Sequence, residues 1–163
     1  MLFALITAQR AQTLQFLCLD NIYFQNDCVT IYITNLLKQT TAKNRKFSLK
    51  LKKYDENPSI CIVKVLKEYI KRTQSLRGSE RQLLISFHKP YGAVSRNTIS
   101  RWIKTVMFES GIDIDVFKAH STRAASCSKA KFEGTPIVEI LKTAGWKSNK
   151  TYEKFYDKCI HFD

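Results

Sequence analysis

The sequence predicts an α+β fold that is mainly helical and carries a small three-stranded antiparallel sheet. Most apolar residues recur at helical spacing, whereas three short runs before residue 52 are β-branched, aromatic or alternating. The chain has 163 residues, of which 44% are hydrophobic and 12% aromatic. That size and composition suffice for one hydrophobic core, so we expect residues 1–163 to form a single domain.

Residues 2–19 carry apolar positions on both sides of a polar stretch at residues 7–12. This pattern predicts two helices, or one bent helix, that meet at the polar stretch. The apolar opening is brief and lacks a basic leader, so we expect neither a secretion signal nor a membrane span there. It is typical of the interior of a helix whose beginning is missing.

The strands are predicted at residues 22–24, 29–33 and 47–51, separated by polar turns. Residues 83–87 are apolar and predict a short buried strand or an extended segment. Five further helices follow from the apolar periodicity and from the proline, hydroxyl and glycine residues that bound helices. They begin at Asn57-Pro58, after Ser95, near Ser121, at Thr135-Pro136 and near Thr151, and three of them end at Gly111, Gly134 and Gly145.

The chain is strongly basic. Its 27 Lys and Arg residues exceed 14 Asp and Glu residues, giving a formal net charge of +13. Such an excess favours a polyanionic partner, and nucleic acid is the foremost candidate. The five cysteines are scattered and form no CxxC pair, which predicts neither a disulfide framework nor a metal site and fits a reducing compartment.

Six polar or aromatic residues stand out by their order along the chain. Each alone has an ordinary explanation, such as a solvated cation or a core aromatic. The two arginines are 113 residues apart, the second arginine precedes the tyrosine by 33, and the tryptophan precedes it by 10. The six residues are Arg10, Lys38, His120, Arg123, Trp146 and Tyr156.

In this order and spacing the sequence resembles the catalytic domain of the tyrosine recombinases over nearly all of its length. Thr7-Ala8-Gln9-Arg10 resembles the family's Thr-Gly-x-Arg, and residues 144–151 resemble its Gly-His-x-Ser-x-x-x-Thr. Residues 119–126 and 155–158 are most similar to the integrases of eukaryotic mobile elements of the Crypton and DIRS-like groups. The resemblance implies the mixed α/β core of DNA breaking-rejoining enzymes, DNA integration and a nuclear location.

The resemblance also implies a site for phosphodiester chemistry. Arg10 and Arg123 would hold the two non-bridging oxygens by forked, charge-assisted hydrogen bonds. Tyr156 would be the nucleophile and form a 3′-phosphotyrosyl intermediate, whose stored bond energy makes a metal ion or other cofactor unnecessary.

Three further roles are implied for the remaining residues. Lys38 would protonate the leaving 5′-oxygen, and His120 would assist proton transfer. Trp146 takes the family's His/Trp position, where its indole N–H can donate to a phosphate oxygen.

The sequence departs from the family pattern at several positions. Thr13 stands where family members commonly carry an acidic residue. Tyr156 follows Trp146 by ten residues, although nine is commoner, and Phe155 occupies the nine position. Tyr152 is a less favoured nucleophile, and Lys43 and Lys46 are alternatives to Lys38 as the acid.

The expected partner is double-stranded DNA, with a homo-tetramer forming on synapsed DNA and neither a membrane nor a small-molecule cofactor involved. Five further residues are candidates for DNA contact, although a solvated charged face explains them equally well: Lys43, Arg45, Lys46, Arg96 and Asn97. We expect the family's N-terminal DNA-clamping domain to be absent, which leaves open a non-catalytic, domesticated DNA-binding module. A helix-turn-helix factor centred on residues 95–111 is a third reading.

Overall fold

The computed structural model describes residues 1–35, 47–146 and 149–160, and the chain divides into two compact units. One unit comprises residues 12–96, and the other comprises residues 1–11 and 97–163. Seven α-helices and three strands lie within the described ranges. The predicted class, mainly helical with a small antiparallel sheet, is confirmed.

The unit of residues 12–96 is built on the sheet, in the order β1 (Ile22–Phe24), β2 (Cys28–Ile33) and β3 (Phe47–Lys52). Both pairs of neighbours are antiparallel. Side chains alternate between the two faces of each strand, so one face is buried through Val29, Ile31, Ile33, Leu49 and Leu51. The three predicted strands are confirmed to within a residue of their predicted bounds.

Helix α3 (Ile62–Thr73) supplies the apolar partner of this sheet. Ile62, Val63 and Leu66 form its buried face. The predicted helix start at Asn57-Pro58 is wrong, because Pro58–Ile60 form a separate 3-10 turn. The Asn57 side chain accepts a hydrogen bond from the Ser59 amide at 3.1 Å and caps that turn.

Residues 74–95 contain no helix and no named strand; one isolated antiparallel bridge joins Gln82 to Cys18, and another joins Ile85 to Ala93 within the segment. Residues 83–87 are therefore an extended segment. The buried Arg77 holds this segment, donating to the Gln82 carbonyl at 2.7 Å and to the Leu83 carbonyl at 3.2 Å. A helix-turn-helix needs a helix one short turn before residue 96, so that reading is wrong.

The other unit is helical. It contains α1 (Leu2–Thr7), α5 (Ser121–Phe132), α6 (Ile137–Ala144), α7 (Asn149–Phe155) and all but the first residue of α4 (Arg96–Glu109). Helix α2 (Ala11–Gln15) begins at the last residue of its first segment. Helix α1 packs on α5, and α5 packs on α6. No helix in the described part of the chain is long and apolar enough to cross a membrane.

Glycines end α4, α5 and α6 where the sequence predicts. Gly111, Gly134 and Gly145 have φ of 77°, 84° and 72°, in the left-handed region that favours glycine. Residues of α5 and α6, together with three from other segments, form one buried apolar cluster: Ala8, Cys127, Ile140, Ala144, Trp146 and Tyr152. Tyr156 packs against this cluster.

Candidate active site

The connection between α1 and α2 carries Arg10. The Thr7 hydroxyl donates to the Phe3 carbonyl at 2.6 Å, and Ala8 then takes a left-handed conformation with φ 49°. An L-residue in that region stops a helix, so the chain turns there. The predicted meeting of two helices at the polar stretch is confirmed, and the turn leaves Arg10 half-buried.

Helix α5 begins with the His-x-x-Arg sequence. Arg123, in its first turn, is 1% exposed, and its Nη2 donates to the Ala144 carbonyl at 3.2 Å. The guanidinium carbon lies 4.6 Å from the ring centroid of Trp146 and 5.6 Å from that of Tyr156. Its Nε and Nη1 are buried and have no hydrogen-bond partner among the described residues. Buried donors of a cation without acceptors are costly, and they are the groups that an anion would satisfy.

Tyr156 follows α7 directly, and its hydroxyl oxygen lies 2.7 Å from His120 Nε2. Its ring packs against Trp146 with centroids 4.4 Å apart. The Ser128 hydroxyl donates to the Tyr156 carbonyl at 2.9 Å and accepts from the Lys158 amide at 2.9 Å. The backbone after α7 is therefore fastened to α5, the helix that also carries Arg123.

Burial and two nearby cations determine the pKa shifts of His120 and Arg123. Burial lowers the pKa of His120, and the charges of Arg123 and Arg10 lower it further. Burial and then Arg10 lower the pKa of Arg123 to about 10, so its guanidinium is still charged at neutral pH. A neutral imidazole is thus favoured beside the Tyr156 hydroxyl, where its Nε2 can accept the phenolic proton.

The second tyrosine of the last helix occupies a different environment. Tyr152 is 0% exposed and packs under Trp146, with ring centroids 5.7 Å apart. Burial, together with Asp157, raises the pKa of Tyr152 to about 12. Phe155, at the commoner spacing for the nucleophile, is 57% exposed. Of the two tyrosines, Tyr156 is the one whose hydroxyl contacts His120, whereas the Tyr152 hydroxyl faces Asp157 at 3.4 Å.

The structure brings five of the six landmark residues into one unit: Arg10, His120, Arg123, Trp146 and Tyr156. Lys38, Lys43, Arg45 and Lys46 lie outside the described residues. Arg96 and Asn97 are exposed at the start of α4, and the Arg96 amide donates to the Gln15 side chain at 3.1 Å. No group of three potential metal ligands occurs in the described ranges.

Two buried polar residues at this site escaped the sequence reasoning. Ser128 binds the backbone on both sides of Asp157, and Gln9 donates to the Thr143 carbonyl at 2.5 Å. Their partners are backbone groups, which leave no trace in sequence spacing. The one available signal was a polar residue at a position that helical periodicity places in the core.

A small sheet, a helical unit and a tyrosine beside a histidine and a buried arginine define the catalytic core of the tyrosine-type DNA strand-exchange enzymes. Residues 1–159 match the model of the Phage integrase family, and the chain belongs to that family. No curated protein sequence matches the chain.

Solved structures share the fold. The XerH site-specific recombinase bound to its difH substrate, in a pre-cleavage complex, has a TM-score of 0.71 and 18% identity, covering 99% of this chain and 42% of that one. XerA recombinase has a TM-score of 0.71 and 20% identity, covering 96% and 50%. A lambda integrase dimer bound to a COC′ core site has a TM-score of 0.66 and 16% identity, covering 99% and 42%. The chain thus spans half or less of each of these proteins.

Proposed function

We propose that this chain breaks and rejoins DNA strands through a 3′-phosphotyrosyl intermediate on Tyr156. The observation that carries the proposal is the 2.7 Å contact between His120 Nε2 and the Tyr156 hydroxyl, made beside the buried guanidinium of Arg123. A nucleophile, a base and a cation for the phosphate are the three parts that this transfer needs. Membership of the Phage integrase family supports the same reaction.

The chemical step follows from these contacts. The Tyr156 oxygen attacks phosphorus while its proton passes to His120 Nε2. The bond between phosphorus and the 5′-oxygen breaks, and the departing oxygen takes a proton from a general acid, for which we propose Lys38. The reverse steps, with a 5′-hydroxyl as nucleophile, rejoin a strand and release the tyrosine.

Negative charge grows on the two non-bridging oxygens during this attack. Arg123 is suited to stabilise it, because two of its nitrogens are buried without an acceptor among the residues that the structure describes, and the guanidinium is already desolvated. The indole Nε1 of Trp146 is also buried without a partner among the described residues, and it would donate to the same phosphate. Arg10 would hold the second oxygen, since its charge reaches both His120 and Arg123.

The proposed substrate is double-stranded DNA, in keeping with the net charge of +13. Structures with the same fold include a lambda integrase tetramer bound to a Holliday junction, which supports assembly of this chain into tetramers on synapsed DNA. We propose DNA contacts, in addition to those of the site, through Lys43, Arg45, Lys46, Arg96 and Asn97.

The biological setting is a further part of the proposal. We propose that the chain is an integrase of a eukaryotic mobile element of the Crypton or DIRS-like kind, on the resemblance of residues 119–126 and 155–158 to those groups. Since the proposed substrate is chromosomal DNA, we propose that the reaction takes place in the nucleus.

The experiment is selection of covalent adducts from a pool of nicked DNA duplexes. Each duplex carries a randomised segment before the nick. Because of the nick, cleavage releases a short fragment, and the enzyme stays attached to the DNA. We expect wild-type protein to yield DNA attached through denaturation, and Tyr156→Phe to yield none while still binding DNA. Tyr152→Phe is the matched control and should form the adduct.

Two outcomes would defeat the proposal. One is an adduct that survives Tyr156→Phe. The other is salt-sensitive DNA binding that Tyr156→Phe leaves unchanged, with no adduct even after a DNA-clamping domain is added. A non-catalytic binding module would give that result.

A further inference from the structure

The C-terminal end of α6 contacts two segments that carry candidate catalytic residues, the α1–α2 connection and the start of α5. A helix leaves its last four carbonyls without partners inside the helix. Two of them are satisfied by the turn that follows: the Leu141 carbonyl accepts from the Trp146 amide at 2.9 Å, and the Lys142 carbonyl accepts from the Gly145 amide at 3.2 Å. The left-handed Gly145 makes this turn possible.

The other two carbonyls are satisfied by side chains from distant parts of the sequence. The Ala144 carbonyl accepts from Arg123 Nη2 at 3.2 Å, and the Thr143 carbonyl accepts from Gln9 Nε2 at 2.5 Å. Gln9 is the residue immediately before Arg10. Adjacent carbonyls of one helix end therefore hold Arg123 directly and hold Arg10 through its neighbour.

The Gln9 amide is well defined by its surroundings. It is 2% exposed, and its Nε2 faces both the Thr143 carbonyl and, at 3.5 Å, the Thr7 carbonyl. The reverse orientation of the amide would place an oxygen against two carbonyl oxygens, so the nitrogen must point there. The Oε1 atom is buried without a partner among the described residues.

We infer that Gln9 is a positioning residue that holds Arg10 in register with Arg123 by fastening the α1–α2 connection to the end of α6. The connection needs such an anchor because it consists of a single left-handed residue, Ala8, followed by Gln9 and Arg10. Two guanidiniums can share one phosphate only if their spacing is fixed, and a displacement of about 1 Å costs on the order of a hundredfold in rate. This inference rests on the proposed function, in which the two arginines bind the same phosphate.

The test is a double-mutant cycle of Gln9→Met and Arg10→Ala. Methionine keeps the length of the side chain and removes the donor. Affinity for inorganic phosphate is measured by calorimetry, and the rate of adduct formation is measured on the nicked DNA. We expect Gln9→Met to weaken phosphate binding and slow adduct formation about tenfold each. In the Arg10→Ala background the same change should alter either quantity by less than about twofold, because its effect passes through Arg10.

Gln82→Met is the matched control, since Gln82 also has a buried Oε1 with no partner in the described part of the chain but belongs to the other unit. It should leave both quantities unchanged. If thermal melting shows that Gln9→Met does not fold, Gln9→Asn replaces it: the shorter amide stays polar but cannot reach the Thr143 carbonyl, so the same effects are expected.

The outcomes separate this inference from the proposed function. Equal effects of the Gln9 change in both backgrounds, or no effect at all, overturn the inference even when the wild type forms the adduct. Non-additive phosphate binding without any adduct supports the inference and defeats the proposed function. A wild type that neither binds phosphate nor forms an adduct overturns both.

Discussion

Replacing Arg123 with methionine should stabilise the protein while abolishing its proposed reaction. Burial and the charge of Arg10 lower the pKa of Arg123 from 12.5 to about 10. At about 1.36 kcal/mol per pKa unit, the charged guanidinium is disfavoured in the folded state by about 3 kcal/mol. Methionine is unbranched and uncharged and ends two atoms short of arginine, so it removes this penalty and leaves only a small cavity.

Two kinds of interaction are lost in exchange. The Ala144 carbonyl loses the donor that now lies 3.2 Å away, which costs about 1–2 kcal/mol. The contacts of the guanidinium with the rings of Trp146 and Tyr156 are also lost, at about 0.5–1 kcal/mol. The net expectation for Arg123→Met is a gain in the free energy of unfolding of up to about 1 kcal/mol. Urea denaturation followed by tryptophan fluorescence measures it, because Trp102 and Trp146 both lie in the unit that contains Arg123. Inorganic phosphate should stabilise the wild type and not the variant.

Arg77→Met is the matched control. Arg77 is buried too, but its guanidinium donates to the Thr73 hydroxyl and to the carbonyls of Gln82 and Leu83. Its removal strands three acceptors, and we expect a loss of about 3 kcal/mol or more by far-UV circular dichroism. If Arg123→Met also loses more than about 2 kcal/mol, or if phosphate stabilises it as much as the wild type, Arg123 is a structural arginine and the reasoning is refuted.

Three further predictions concern residues around the site. NMR titration should place the pKa of His120 below 6.5 and show it rising in Arg10→Ala, and a pKa at or above 6.5 would contradict this. Between the folded pKa and pH 6.5, His120 binds more protons in the unfolded chain than in the folded one. Its contribution to stability is therefore full above pH 6.5 and falls as the pH drops towards the folded pKa. Ser128→Ala should slow adduct formation roughly tenfold at unchanged DNA affinity, because the backbone around Tyr156 loses two hydrogen bonds; an unchanged rate would show that Ser128 does not hold Tyr156 in place. Ala8→Gly should change the free energy of unfolding by less than about 1 kcal/mol in urea, since relief at φ 49° offsets the lost methyl packing, whereas Ala8→Val should lose more than about 2 kcal/mol; equal losses would count against strain at this position.

The sheet and the helix ends were predictable because their signals are local. Alternation over residues 29–33 and 47–51 places every second side chain on the buried face, and the structure follows it. Gly134 and Gly145 end helices because a left-handed residue there costs glycine little. The start of α3 was not predictable in the same way, since the Asn57 cap stabilises a separate turn that ends before the helix begins.

Sequence order identified the site residues, but not how they meet. The placement of Arg123 between the rings of Trp146 and Tyr156 depends on how α6 and the residues after α7 pack against α5. Nothing in the spacing specifies that packing, nor the backbone contacts of Gln9 and Ser128. The catalytic roles of the six landmark residues, and the choice among Lys38 and its alternatives, stay predictions.

The most direct measurement is identification of the residue that becomes joined to DNA. Adducts formed on nicked duplex are digested with nuclease and trypsin, and the phosphorylated peptide is sequenced by tandem mass spectrometry. We predict that the modification lies on Tyr156, whose hydroxyl meets His120, with none on Tyr152, which is fully buried. DNA attached to Tyr152, to a serine or to any other residue would contradict the account.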